Sequence, residues 1–219
     1  MHDVDAVGAG LVGAFVVVAA ADWHMVWHGR DDRRPLTKTA ATVLLVLIAA
    51  AVGEMAGDAR AALVVAVVLC LIGDVALLGD SDEHFLVGLA AFALGHVAYV
   101  VTALLVGVSW PRLAVAFPVL AALLGFQAVS RMLPGALRAG GATMLVAVTV
   151  YSLIISAMVV TATGTPSWLA FAGATVFAVS DSMIAHNRFV QPFPRADLPI
   201  MVTYHAGQLL LILGLIAGG

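Results

Sequence analysis

Runs of about 20 apolar residues recur along this chain with only short polar breaks between them, and this limits the fold more than any motif does. A lipid-spanning helix needs about 20 such residues. On that ruler the sequence offers eight segments: 6–27, 36–53, 60–79, 84–107, 113–132, 140–162, 167–186 and 198–217. The breaks carry Pro, Gly and charge: His28 to Pro35, Glu54 to Asp58, Gly79 to Glu83, Val108 to Arg112, Leu133 to Arg138, Thr163 to Pro166 and Asn187 to Asp197. A soluble domain is about 45–50% apolar and about 25% charged. Here the shares are 63% and 11%, too little polar surface to face water. The expectation is an all-α integral membrane bundle of eight transmembrane helices, one transmembrane domain over 1–219. The first segment lacks the basic flank and the cleavage site of a signal peptide and is read as a retained helix.

Loop charge orients the bundle. Arg30, Arg33, Arg34, Lys38, Arg131, Arg138, Arg188 and Arg195 fall on one side, and Arg60 and Arg112 on the other. The excess of basic residues marks the cytoplasmic face. This predicts a multi-pass protein of the inner (cytoplasmic) membrane with both termini outside. With no basic tract, nothing points to a nucleic-acid partner, and a lone Cys70 gives neither a disulfide framework nor a zinc knuckle.

Ionisable groups inside spans are expensive and mark function by default. Asp74 and Asp181 each lie near the cytoplasmic end of an inward-running segment. Segment four carries Phe85, Gly88, Phe92, His96 and Tyr99 at steps that place them on one helix face. Segment eight brings Tyr204, His205 and Gln208 two to three turns up from the same side. The two Asp-to-His spacings, 22 from Asp74 to His96 and 24 from Asp181 to His205, suggest a parallel 4+4 internal repeat. Both acids then face one cytoplasmic mouth, with an active site in the cytoplasmic half. Two carboxylates that share a cavity divide into an acid and a base, the arrangement used to cleave acetal-like bonds. The His24–His28 pair has metal-ligand spacing but sits with Trp23 and Trp27, as an interfacial belt does. Asp80, Asp82, Glu83 and His84 read as a solvated turn. No G-x-S-x-G, H-E-x-x-H or Walker lysine is present.

At these residues the sequence resembles the YhhN-like lysoplasmalogenase family of small eight-helix membrane proteins. The matching elements are Gly73-Asp74, then Phe85-x-x-Gly88-x-x-x-Phe92-x-x-x-His96-x-x-Tyr99, then Ser180-Asp181-Ser182, Arg188-Phe189 and Tyr204-x-x-x-Gln208. They extend over segments three to eight. The first two match only as apolar stretches leading into and out of Arg34-Pro35-Leu36. His205 departs from the pattern, which often has an aromatic residue there. The resemblance implies hydrolysis of the vinyl ether bond of lysoplasmalogen to a fatty aldehyde and glycerophosphoethanolamine or glycerophosphocholine. Asp74 and Asp181 would be the catalytic pair, with no metal or organic cofactor required. The substrate partner would be a lysophospholipid drawn from the membrane. Its chain and its water would meet Phe85, Phe92, His96, Tyr99, Ser180, Tyr204, His205 and Gln208. Its phosphate would meet Arg188, Arg195 or the Arg33/Arg34 loop. Two other readings remain open: a metal-dependent membrane hydrolase using Asp74, His84, His96, Asp181 and His205, and a proton-coupled transporter or lipid carrier.

Overall fold

The computed structural model describes residues 2–29, 34–79, 81–127 and 131–219. Among these residues there are eight α-helices and no strand: α1 (His2–Trp27), α2 (Arg34–Ala51), α3 (Gly57–Ala76), α4 (Asp82–Val106), α5 (Trp110–Gln127), α6 (Leu133–Gly164), α7 (Trp168–Phe189) and α8 (Asp197–Gly218). Six of them, α1, α3, α4, α6, α7 and α8, are long and apolar enough to cross a membrane; α2 is shorter, its apolar stretch running Pro35–Ala51.

Helix ends fall where the chain loses helical propensity or gains a cap. Gly53 takes a left-handed φ of 65° between α2 and α3, a conformation that costs a residue with a Cβ. Ser81 caps α4, its hydroxyl accepting from the His84 amide at 3.2 Å. Asp82, Glu83 and His84 are therefore the first turn of a helix and not a loop, and acidic residues are favoured there. Asp80 lies outside the described residues. The helix expected over 140–162 is the longer arm of α6: Gly140 (φ −146°, ψ 23°) and Gly141 (φ 63°, ψ −153°) leave helical geometry and break α6 at a kink, and a shorter helical arm from Leu133 precedes it. Arg138 consequently sits on α6. The helix expected over 167–186 runs on to Phe189, and the one expected over 60–79 stops at Ala76.

The bundle is built from two close helical pairs, α3 with α4 and α7 with α8. Small residues make both pairs possible. A Cβ added at Gly173 or Gly214 would stand 2.1 Å from the backbone nitrogen of Leu211 or Ala170, so α7 and α8 touch backbone to backbone. In lipid such contact replaces the hydrophobic drive that packs soluble helices. Helix α8 is the most buried of the candidate spans and also meets α1, α2 and α4. Outward residues are apolar: Val65, Val68, Ile72 and Val75 line one exposed face of α3. The fold thereby presents hydrocarbon outside and gathers its polar side chains inside.

Candidate active site

The interior polar residues form two separate networks. The first surrounds Asp74 on α3. Lys38 of α2 brings Nζ to 3.0 Å from Oδ1, and both side chains are nearly excluded from solvent. Thr42, one turn further along α2, donates to Oδ2 at 2.7 Å. Tyr204 of α8 donates to the same oxygen at 2.6 Å. The network then continues through Gln208, whose Nε2 donates to the Tyr204 oxygen at 2.8 Å and whose Oε1 accepts from Tyr99 of α4 at 2.6 Å. Four helices are tied together through one carboxylate. Beside it, the His205 Nδ1 accepts from Trp23 Nε1 at 3.0 Å, and Asp22 accepts from Thr37 at 2.7 Å.

The second network surrounds Asp181 on α7. Tyr151 of α6 donates to Oδ2 at 2.5 Å, and His96 Nε2 lies 3.6 Å from the same oxygen. His96 is fully buried and neither ring nitrogen has a hydrogen-bond partner. It is packed against Phe177 at 4.8 Å and Tyr151 at 5.4 Å between ring centroids. Asp181 opens into a narrow cleft between α4, α6 and α7. Its walls are apolar, among them Phe85, Leu89, Phe92, Val148, Ile155 and Phe189, with Tyr151, Ser152 and Ser182 beside the acid. At its rim Arg188 covers the Phe85 ring at 3.8 Å and pairs with Asp82.

Between the networks stands a cluster of rings. Tyr204 meets Phe177 at 5.4 Å and Phe92 at 5.9 Å, edge to face. The two carboxylates belong to different networks. Asp181 lines the cleft and Asp74 is not among its lining residues; the Asp74 oxygens are held by Lys38, Thr42 and Tyr204.

The residues singled out from sequence fall into groups accordingly. Asp74, Tyr99, Tyr204 and Gln208 meet directly. Asp181, Phe85 and Phe92 line the cleft, His96 lies against Asp181 without lining it, and the stripe on α4 is a single buried face. His205 sits next to Tyr204, against Trp23 and Phe15. Ser180 is turned away from the cleft and donates to the Ile200 carbonyl at 3.0 Å, a brace between α7 and α8. Arg195, at a left-handed φ of 55°, covers Trp27 of α1 at 4.5 Å, whereas Arg188 lies against α4. Arg33 and the Arg34 side chain lie outside the described residues. The ligand set expected for a metal is not assembled: among the described residues no three of His, Cys, Asp and Glu converge as metal ligands.

Sequence reasoning overlooked Lys38, Thr42 and Tyr151. Lys38 was counted as a loop cation, yet it lies within α2 and faces Asp74. Its spacing of four from Thr42 was a usable signal, since both then share one face of α2. Tyr151 offered a compositional one. The chain has three tyrosines, and all three hydroxyls belong to these two networks.

Comparison with known proteins matches the YhhN family profile over residues 33–215. Lysoplasmalogenase TMEM86B of Sus scrofa is 32% identical over 185 residues, 81% of this chain and 73% of that protein. The Homo sapiens protein of the same name is 33% identical over 156 residues, 68% of this chain and 60% of that one. Lysoplasmalogenase of Mycobacterium bovis is 32% identical over 186 residues, 81% of this chain and 69% of that protein. No solved structure matches the chain.

Proposed function

The chain belongs to the YhhN family, and on that premise we propose that it is a lysoplasmalogenase, an ether-bond hydrolase that cleaves the vinyl ether of a lysoplasmalogen within the membrane. The observation that carries this reading is the Asp181 cleft. It is a mostly apolar slot between helices with one carboxyl in its wall and one arginine at its rim. A single-chain lipid with an acid-labile bond near its head fits that layout. Arg188 lies seven residues beyond Asp181 on α7, about 10 Å along the axis. The glycerol of such a lipid separates phosphate from alkenyl carbon on the same scale. Arg188 would take the phosphate, exchanging Asp82 for it, and the chain would run among Phe85, Phe92 and Ile155.

Asp181 is then the proton donor. Its carboxyl protonates the β-carbon of the vinyl ether, leaving an oxocarbenium ion on the α-carbon. The resulting carboxylate takes a proton from the water that adds there. The hemiacetal loses its C–O bond, the glycerol oxygen gains a proton, and a fatty aldehyde and a glycerophospho-alcohol leave. His96 has unpartnered ring nitrogens next to the acid and would hold that water. Asp74 already has an ammonium partner and two hydroxyl donors. Its role is to fix Tyr204 and Gln208, which back the aromatic wall, and to add its field to the cation's surroundings. No step draws on a metal or organic cofactor.

The finer topology belongs to the same reading. We read all eight helices as crossing the inner membrane, with both termini outside and the cleft on the cytoplasmic side, a topology supported by the excess of arginine at that side's helix ends and connections. The pairing of α3 with α4 and of α7 with α8, each bringing one Asp and one His, fits a parallel 4+4 repeat.

The test is chemical. Purified protein is incubated with a lysoplasmalogen and with its saturated alkyl-ether analogue, and released aldehyde is measured. Aldehyde from the vinyl ether alone is the expected result. Absence of aldehyde from the vinyl ether would refute the assignment.

A further inference from the structure

Two groups approach Asp181 Oδ2, the Tyr151 hydroxyl and the His96 ring, and among the described residues no hydrogen bond reaches Oδ1. The carboxyl is therefore held by one edge. Tyr151 stands on α6, across the cleft wall from α7, and contributes its own ring to the lining. Of the other residues lining the cleft there, Val148, Ile155, Ile184 and Ala185 are apolar, and the Ser152 and Ser182 hydroxyls donate to the Val148 and Ala178 carbonyls of their own helices. From this geometry we propose that Tyr151 is the positioning residue of the reaction. Its phenol keeps Oδ2 occupied, so that the transferable proton resides on Oδ1 and points at the alkenyl carbon. After transfer the same O–H remains as donor to the new carboxylate. The proton lost from Oδ1 to carbon is replaced by the one the carboxylate takes from water, so Tyr151 keeps its own proton throughout.

The alternative role is an interhelical tie, holding α6 to α7 as other hydroxyls hold helices here. The two roles separate in kinetics. A tie that is lost lowers the folded fraction. A carboxyl free to rotate leaves binding intact and slows the proton transfer, because misplacing a reacting group costs rate and not affinity.

This inference rests on the acid–base reading above, and the experiment distinguishes the two. Wild type, Tyr151→Phe and Thr102→Val are assayed on a lysoplasmalogen in H2O and D2O, with thermal denaturation in the same detergent. Thr102 is a buried hydroxyl on α4, one turn beyond Tyr99, that donates to the Ala98 carbonyl at 2.8 Å and takes no part in the hydrogen bonds of either network. The expected result is a kcat for Tyr151→Phe lowered about 10- to 100-fold with KM changed less than about twofold. Its solvent isotope effect on kcat rises as proton transfer becomes fully rate-limiting. Thr102→Val stays near wild type in both. Wild-type kcat in Tyr151→Phe, or a loss that follows only the melting shift with an unchanged isotope effect, would overturn the positioning role while leaving the function intact. Wild type that releases no aldehyde would overturn the functional reading and this inference with it.

Discussion

Asp74 and Asp181 are the same residue type, each on the first helix of a close pair, yet the protein treats them differently. Asp74 is saturated: an ammonium at 3.0 Å and two hydroxyl donors occupy its oxygens. Asp181 has one hydroxyl at one oxygen, a histidine at longer reach, and a cleft in front of it. A fully satisfied buried carboxylate organises structure, and a partly satisfied one beside a cavity is free to react. On the proposed function, chemistry and scaffold are divided between two aspartates that the sequence presents as a symmetric pair.

Three substitutions bear on that division. The largest effect is expected for Asp181→Asn, which removes the transferable proton and keeps the shape; kcat should fall about 10³-fold or more with folding unchanged, read as aldehyde release from detergent-purified protein. Near-normal turnover would end the division at once. Next comes Lys38→Met, which strands Asp74 without a counter-ion. Breaking a buried pair costs about 3–5 kcal/mol, and replacing both partners by apolar residues recovers much of it. Denaturation of Lys38→Met should therefore show a large loss, and Lys38→Met/Asp74→Leu a partial recovery with turnover within about tenfold of wild type. A double variant that is stable but inactive would make Asp74 a second reacting acid and erase the contrast. The smallest effect belongs to the rim. Arg188→Ala should raise KM about tenfold and leave kcat nearly unchanged, as loss of one charge-assisted phosphate contact does. Arg195→Ala, on the far side against Trp27, should change neither, and an equal rise in KM for both would move the lipid headgroup toward α1.

Much of the site was legible in the sequence because lipid makes polar residues conspicuous. Asp74, Asp181, His96 and Gln208 stand out in apolar runs, and the α4 stripe follows from helical period alone. Ser180 was misleading for the same reason: it flanks an acid in sequence but points 100° away from it around the helix, into α8. Lys38 was hidden because a cation one turn inside a span counts as loop charge until its helix is drawn. Tyr151 was hidden because its polar neighbours Thr149, Ser152 and Ser156 all bond within their own helix, and its partner is 30 residues away.

The sequence by itself determined the class of fold, the mainly apolar exterior, the helix order and the residues that lipid would not tolerate without a purpose. Hydropathy and helical period are local, and they suffice for that. Only the tertiary structure decided which acid faces a cavity and which is locked to a lysine. That choice depends on how α2 and α6 dock against α3 and α7, and docking is set by small-residue contacts between helices that no single segment encodes.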